Sequence, residues 1–106
     1  MNTKRVLLLI LLLMAVGCSR EVKKEFYPDG NLKSVLNYKK GKLEGIAKYY
    51  YENGNLKERV NYRNGIRERT GTVYYETGEL KTEKRYEDGQ MVNEKHYDKQ
   101  GNPLKG

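Results

Sequence analysis

The sequence predicts an all-β protein, a single-layer antiparallel meander of β-hairpins that follows a helical signal peptide. Three observations support this prediction: a Tyr-x-x-Gly pattern recurs along the chain, its turn dipeptides suit hairpins, and the segments between turns alternate apolar and polar residues. The 106 residues include ten tyrosines, one phenylalanine and no tryptophan. This length allows one domain and a targeting segment. No helix is predicted after residue 18.

The first seventeen residues have the pattern of an export signal. Lys4 and Arg5 form a positive start, and residues 6–17 are uncharged and rich in leucine. A helix of this length spans about 18 Å, which is too short for a hydrocarbon core of about 30 Å. We therefore predict a signal peptide over residues 1–17 rather than a membrane span.

The uncharged run ends in Ala15-Val16-Gly17-Cys18, which resembles the lipobox of bacterial lipoproteins. The resemblance implies that the thiol of Cys18, the sole cysteine, receives diacylglycerol and that the chain is cut before it. The membrane is then a partner through the lipid anchor. An ordinary secretory peptide with an incidental cysteine is the alternative, and Ala15 departs from the leucine that is commoner at its position.

Residues 18–25 are predicted as the lipidated cysteine and a tether, and residues 26–105 as the repeat domain. Ser19 stands where an aspartate tends to retain Gram-negative lipoproteins at the inner membrane, so the outer membrane is favoured if the host is Gram-negative. The formal charge is +7, and without Lys4 and Arg5 the mature chain carries +5. This surplus suits an anionic surface such as phospholipid or cell-wall polymer without requiring one.

The Tyr-x-x-Gly pattern occurs six times, and a seventh copy at Tyr97 and Gly101 has one extra residue. The repeat tyrosines are Tyr27, Tyr38, Tyr51, Tyr62, Tyr75, Tyr86 and Tyr97, spaced by 11, 13, 11, 13, 11 and 11 residues. Most of the array is therefore a 24-residue unit of two half-units. Leu-Lys pairs at 32–33, 56–57, 80–81 and 104–105 keep the same period.

Each half-unit is predicted to be a strand and a turn. The turn glycines are Gly30, Gly41, Gly54, Gly65, Gly78, Gly89 and Gly101. Asn-Gly and Asp-Gly favour tight hairpins because both central positions need φ > 0. Between two turns, Leu56, Val60 and Tyr62 share one face while Arg59 and Arg63 share the other, which indicates half-buried antiparallel strands.

The pattern resembles the bacterial variant of the MORN repeat. Residues 38–45, with the sequence Tyr-Lys-Lys-Gly-Lys-Leu-Glu-Gly, carry its Tyr-x-x-Gly and Leu-x-Gly elements, and the resemblance extends over residues 25–105. Residues 66–69 depart from it because they lack the Leu-x-Gly element. The resemblance implies an elongated, single-layer hairpin array used for binding or scaffolding. Bacterial members often carry the label of antitoxin component.

The aromatic residues suggest two roles. The repeat tyrosines are predicted to form a cross-strand stripe, the ordinary structural role of tyrosine in a sheet. Phe26, Tyr50 and Tyr74 are predicted to form a second row on the opposite, charged face, and this row is the candidate binding face. A one-layer sheet leaves apolar surface uncovered, so we expect it to form a trough, pair with another copy or present a face to a partner.

No catalytic, cofactor or metal site is predicted. The serines are Ser19 and Ser34, and the lone histidine, His96, is interpreted as a solvated strand residue. Asp29, Asp88 and Asp98 are interpreted as turn residues.

The leading hypothesis is a membrane-anchored lipoprotein whose repeats form a non-catalytic binding or scaffold module at the cell envelope. It would recognise a protein, or a glycan or lipid surface, through its sheet. The alternative is an immunity or antitoxin-type protein that neutralises an envelope toxin, and a third hypothesis is a self-associating spacer. Basic charge with aromatic residues also describes nucleic-acid binders, but export argues against that partner.

Overall fold

The computed structural model describes residues 20–105, which form one antiparallel sheet of nine strands. The strands are β1 Arg20–Phe26, β2 Leu32–Lys39, β3 Lys42–Leu43, β4 Gly45–Tyr50, β5 Leu56–Arg63, β6 Ile66–Tyr74, β7 Leu80–Glu87, β8 Gln90–Tyr97 and β9 Pro103–Leu104. Neighbouring strands in the sheet follow chain order, and both β3 and β4 pair with β2. The sheet measures 56 × 36 × 13 Å, the thickness of one layer. The predicted single-layer hairpin meander is therefore confirmed.

The predicted signal peptide and Cys18 lie outside the described residues. Within residues 20–105 there is no helix of the length and hydropathy needed to cross a bilayer.

Two kinds of connection alternate along the sheet. At one edge, which we call the turn edge, the dipeptides Lys40-Gly41, Asn64-Gly65 and Asp88-Gly89 each have two positive φ angles, from 51° to 81°. These are the predicted two-residue turns, whose twist matches that of the flanking strands. The opposite edge, which we call the loop edge, consists of residues 27–31, 51–55, 75–79 and 98–102.

The loop edge corrects the prediction that every turn dipeptide forms a two-residue turn. Gly30 N donates to Tyr27 O at 2.9 Å, and Tyr27 N donates to Asn31 O at 2.7 Å, which encloses a three-residue loop in which the glycine has positive φ. The carboxylate of Asp29 accepts a hydrogen bond from Asn31 N at 2.9 Å. This side-chain bond stabilises the wider loop, so the residue before the glycine keeps a negative φ.

Residues 20–25, which were predicted as part of the tether, lie in strand β1 instead. β1 pairs with β2 along its whole length, from Arg20 opposite Lys39 to Phe26 opposite Leu32. All seven of its residues are exposed, because it is an edge strand held by backbone hydrogen bonds rather than by burial. Within the described residues the sheet therefore already includes Arg20, ahead of the predicted domain start at residue 26.

One β-bulge recurs at the same position of successive 24-residue units. The register slips by one residue at Lys33, Lys57 and Lys81, so that Leu32 pairs with Phe26, Leu56 with Tyr50 and Leu80 with Tyr74. A slip of one residue moves a side chain to the other face of the sheet. The prediction that Leu56 shares a face with Val60 and Tyr62 is therefore wrong, and Leu56 joins the row of Tyr50.

The best-buried part of the sheet is a short cross-strand row. Ala47 is 1% exposed and pairs with Val60, which is 3% exposed and pairs with Gly71. The ring of Tyr86 covers Gly71, since a Cβ built on that glycine would lie 3.4 Å from Tyr86 Cε2. The guanidinium of Arg67 lies 5.7 Å from the centre of the same ring. Long side chains thus cover this part of the single layer without a second sheet.

We expect the Arg69→Gly variant to raise the free energy of unfolding by about 0.5–1 kcal/mol, because it relieves a left-handed backbone. Arg69 has φ 59° and follows Gly45, which has φ 85°, by one 24-residue period. Its exposed ion pair with Glu68, at 3.7 Å, contributes little. Urea unfolding measures the change, and the reverse variant Gly45→Arg should lose about 1 kcal/mol. A loss of stability in Arg69→Gly would contradict this account.

Candidate functional site

The two faces of the sheet differ in charge. One cross-strand row runs through Lys24, Val35, Lys48, Arg59, Thr72, Glu83 and Lys95. We call this row the basic row and its side of the sheet the basic face, since it holds four cations and one carboxylate. The opposite side, which we call the tyrosine face, carries Tyr38, Tyr49, Tyr62 and Tyr86.

Four aromatic residues lie on the basic face beside the loop edge. This aromatic row consists of Phe26, Tyr50, Tyr74 and Tyr97, each two residues beyond a member of the basic row on the same strand. The structure therefore brings the three predicted binding-face residues onto one level of one face and adds Tyr97 to them. On the neighbouring strands, the four aromatic residues pair in the same order with Leu32, Leu56, Leu80 and Pro103.

Tyr97 does not belong to the repeat stripe to which its spacing assigned it. Tyr75 Oη donates to Tyr97 O at 2.8 Å, as Tyr51 Oη donates to Tyr74 O at 2.6 Å. Asp98 occupies the loop position that a tyrosine holds in the earlier units, since Asp98 N donates to Asn102 O at 2.9 Å. Asp98 and Gly101 thus have the same spacing as Tyr27 and Gly30. The unit that runs from Tyr75 to Asp98 is therefore one residue shorter than the 24-residue period.

The predicted stripe of repeat tyrosines divides into two sets. Tyr38, Tyr62 and Tyr86 lie on the tyrosine face, whereas Tyr27, Tyr51 and Tyr75 begin the loops. Each loop tyrosine bonds the backbone of the next unit through its phenol, and each has a lysine ammonium 5.5–5.7 Å from its ring centre. These contacts give the loop tyrosines a structural role.

The orientation of two rings in the aromatic row follows from their hydrogen bonds. Thr72 Oγ1 donates to Tyr74 Oη at 3.2 Å, and Tyr97 Oη donates to Glu83 Oε1 at 3.0 Å. Both partners belong to the basic row, so the Tyr74 phenol lies back along its own strand and the Tyr97 phenol reaches toward Glu83 on the neighbouring strand β7. The hydrogen bond to Glu83 raises the pKa of the Tyr97 phenol. Phe26 is 58% exposed at the far end of the row.

The tyrosine face is closed by its own side chains. Burial raises the pKa of Tyr49, and the nearby Tyr62 and Glu58 add to the effect. A hydrogen bond to Tyr62 raises the pKa of Arg67, whose guanidinium also stacks on Tyr86. These contacts join tyrosine and arginine side chains of the tyrosine face to one another.

The remaining polar residues singled out from the sequence have local partners. His96 Nε2 lies 3.1 Å from Glu94 Oε1, and its Nδ1 lies 3.1 Å from Thr82 Oγ1. The backbone of Asn102 hydrogen-bonds Asp98 and lowers its pKa. In the part of the chain that the structure describes, no three histidine, cysteine or acidic residues are grouped as metal ligands.

A family model described as MORN repeat variant matches residues 22–40, 43–64 and 70–88, which together exceed half of the chain. The chain belongs to the MORN repeat variant family. Each MORN match covers a hairpin around one loop and ends at Lys40, Asn64 or Asp88, the first residue of a two-residue turn. Searches of curated proteins and of solved structures each gave no match. The MORN repeats support a repeat-based binding or scaffold module.

Proposed function

We propose that the chain is a lipoprotein anchored through Cys18, whose MORN repeats act as a non-catalytic binding module at the cell envelope. The observation that carries the proposal is the position of Arg20, which lies in strand β1 only two residues after Cys18. Two residues reach at most about 7 Å, so acyl chains on Cys18 would hold the β1 edge at the bilayer surface.

The surface of the sheet supports binding rather than catalysis. A layer 13 Å thick presents both of its broad faces to the surroundings. On the basic face, aromatic rings lie beside lysine and arginine side chains, and aromatic residues and arginine are enriched at recognition surfaces. We propose the aromatic row as the surface through which the module holds an envelope partner.

Replacement of the cysteine tests the anchor. Cells fed an acyl-chain precursor are fractionated, and we expect the wild-type protein to carry the label in the membrane fraction. Cys18→Ser should abolish the label and leave a larger precursor that keeps residues 1–17, because the thiol that receives diacylglycerol is missing. Ser19→Ala is the matched control and should behave as wild type. An unlabelled wild-type protein would contradict the proposed anchor.

Photo-crosslinking in intact cells tests the binding surface. A photoreactive amino acid at Tyr50 reports on the basic face, and the same group at the adjacent Tyr49 reports on the tyrosine face. We expect adducts from position 50 and few from position 49. Absence of adducts from position 50 in a folded protein would overturn the assignment of this face.

A further inference from the structure

We propose that the aromatic row and the basic row together bind a linear, anionic, β-1,4-linked polysaccharide that runs across the strands. The inference rests on the proposed function, because it names the ligand class of the same face. It depends on three features of the described residues: the spacing of the rings, their orientation and the position of the cations.

The ring spacing matches a repeating polymer. Phe26, Tyr50, Tyr74 and Tyr97 lie on β1, β4, β6 and β8, and one further strand separates each from the next. Strands about 4.8 Å apart place successive rings about 9.6 Å apart, close to the length of one disaccharide in an extended β-1,4-linked chain. The four rings leave three such intervals, so the whole row accommodates three disaccharides.

The ring orientation suits stacking against sugars. The hydrogen bonds of Tyr74 and Tyr97 hold both phenols against the basic row, so the rings lie over the sheet, Tyr74 toward Thr72 of its own strand and Tyr97 toward Glu83 of β7. A pyranose ring has an apolar face of C–H groups that packs against such a surface. Leu32, Leu56 and Leu80 fill the intervals between successive rings and extend the apolar strip.

The cations suit a polymer with a carboxylate on each repeat. Lys24, Lys48 and Lys95 each precede an aromatic residue by two positions, so the same ammonium-and-ring pair recurs along the row. Charge-assisted hydrogen bonds from these lysines would pair with the uronate-type carboxylates. On β6 the equivalent residue is Thr72, which orients the Tyr74 ring instead.

An acidic peptide fits this spacing less well. Side chains on one face of an extended peptide repeat about every 6.8 Å, so they fall out of step with rings about 9.6 Å apart. The mismatch accumulates along the row, and such a peptide would contact one or two positions rather than four. Dependence of affinity on ligand length therefore separates the two classes of ligand.

Calorimetric titration with β-1,4-linked oligomannuronates of two, four, six and eight sugars tests the proposal. The full chain is purified in detergent from its native host. We expect affinity to rise at least tenfold between the disaccharide and the octasaccharide, since successive rings add contacts. Equal binding of polyglutamate, or no binding of any oligomannuronate, would overturn the polysaccharide assignment.

Matched variants assign the binding to one face. The double variant Lys24→Gln, Lys48→Gln should weaken octasaccharide binding at least tenfold. The control is the double variant Lys23→Gln, Lys84→Gln, which makes the same charge change on the tyrosine face. This control should leave octasaccharide binding unchanged. Tyr50→Ser should weaken binding, with circular dichroism used to confirm the fold. Equal losses in both lysine pairs would indicate nonspecific charge attraction and overturn the proposal.

The crosslinking experiment separates this inference from the proposed function. If position 50 captures a protein in cells while oligomannuronates fail to bind, the ligand class is wrong and the binding module stands. If position 50 captures nothing and oligomannuronates fail to bind, both proposals fall.

Discussion

Tyr51→Ala is expected to lower the free energy of unfolding by about 3 kcal/mol, because one side chain joins two repeat units. The phenol donates to Tyr74 O at 2.6 Å, and Lys57 Nζ lies 5.6 Å from the ring centre. The alanine variant removes the packing and both polar contacts, and it leaves the Tyr74 carbonyl without this donor. Urea unfolding monitored by circular dichroism measures the loss.

Two control variants separate the contributions. Tyr51→Phe keeps the ring and removes the hydroxyl, so it should cost about 1 kcal/mol. Glu52→Ala changes the exposed neighbour and should stay within about 0.5 kcal/mol of wild type. If Tyr51→Ala were as mild as Glu52→Ala, the proposed link between units would be wrong.

Gly71→Val is expected to lower the free energy of unfolding by about 2–3 kcal/mol through overpacking. A Cβ at this position already lies 3.3 Å from Arg59 O and 3.4 Å from Tyr86 Cε2, and two further methyl groups have no space beneath the ring. Tyr86, which is 7% exposed, should be displaced and become more accessible to solvent.

The near-ultraviolet circular dichroism of tyrosine reports the displacement of Tyr86, and chemical unfolding reports the stability. Thr70→Val is the control on the same strand, because Thr70 is exposed and its substitution introduces the same side chain. We expect the control to stay within about 0.5 kcal/mol of wild type. An unchanged tyrosine signal in Gly71→Val would show that the ring does not depend on the glycine.

The strand order and the turn glycines were predictable because the 24-residue period repeats in register with alternating apolar residues. The seven predicted turn glycines all have positive φ, from 78° to 111°. Alternation also placed Tyr50 and Tyr74 on the other face of the sheet from Val60, and the strand pairing agrees. Assignment of these residues to a binding face stays a prediction.

Three features could not be predicted from alternation alone. A bulge at Lys57 leaves no mark in an apolar-polar pattern, so the face of Leu56 was misassigned. β1 has charged residues at most positions and pairs through its backbone, which the side-chain pattern does not reveal. The sequence does show an extra residue between Tyr97 and Gly101. Only the loop hydrogen bonds reveal that Asp98, and not Tyr97, begins the last loop.

The phenol of each loop tyrosine bonds to the backbone of the unit that follows it, as Tyr27 bonds to Tyr50 O and Tyr51 to Tyr74 O. A duplication of residues 41–64 would therefore add one hairpin equivalent to β3, β4 and β5 with its contact to the next unit already encoded, and the sheet would grow by about 10 Å. Gene duplication can thus adjust the reach of such a protein in discrete steps, with each new copy inheriting the same ring and the same cation.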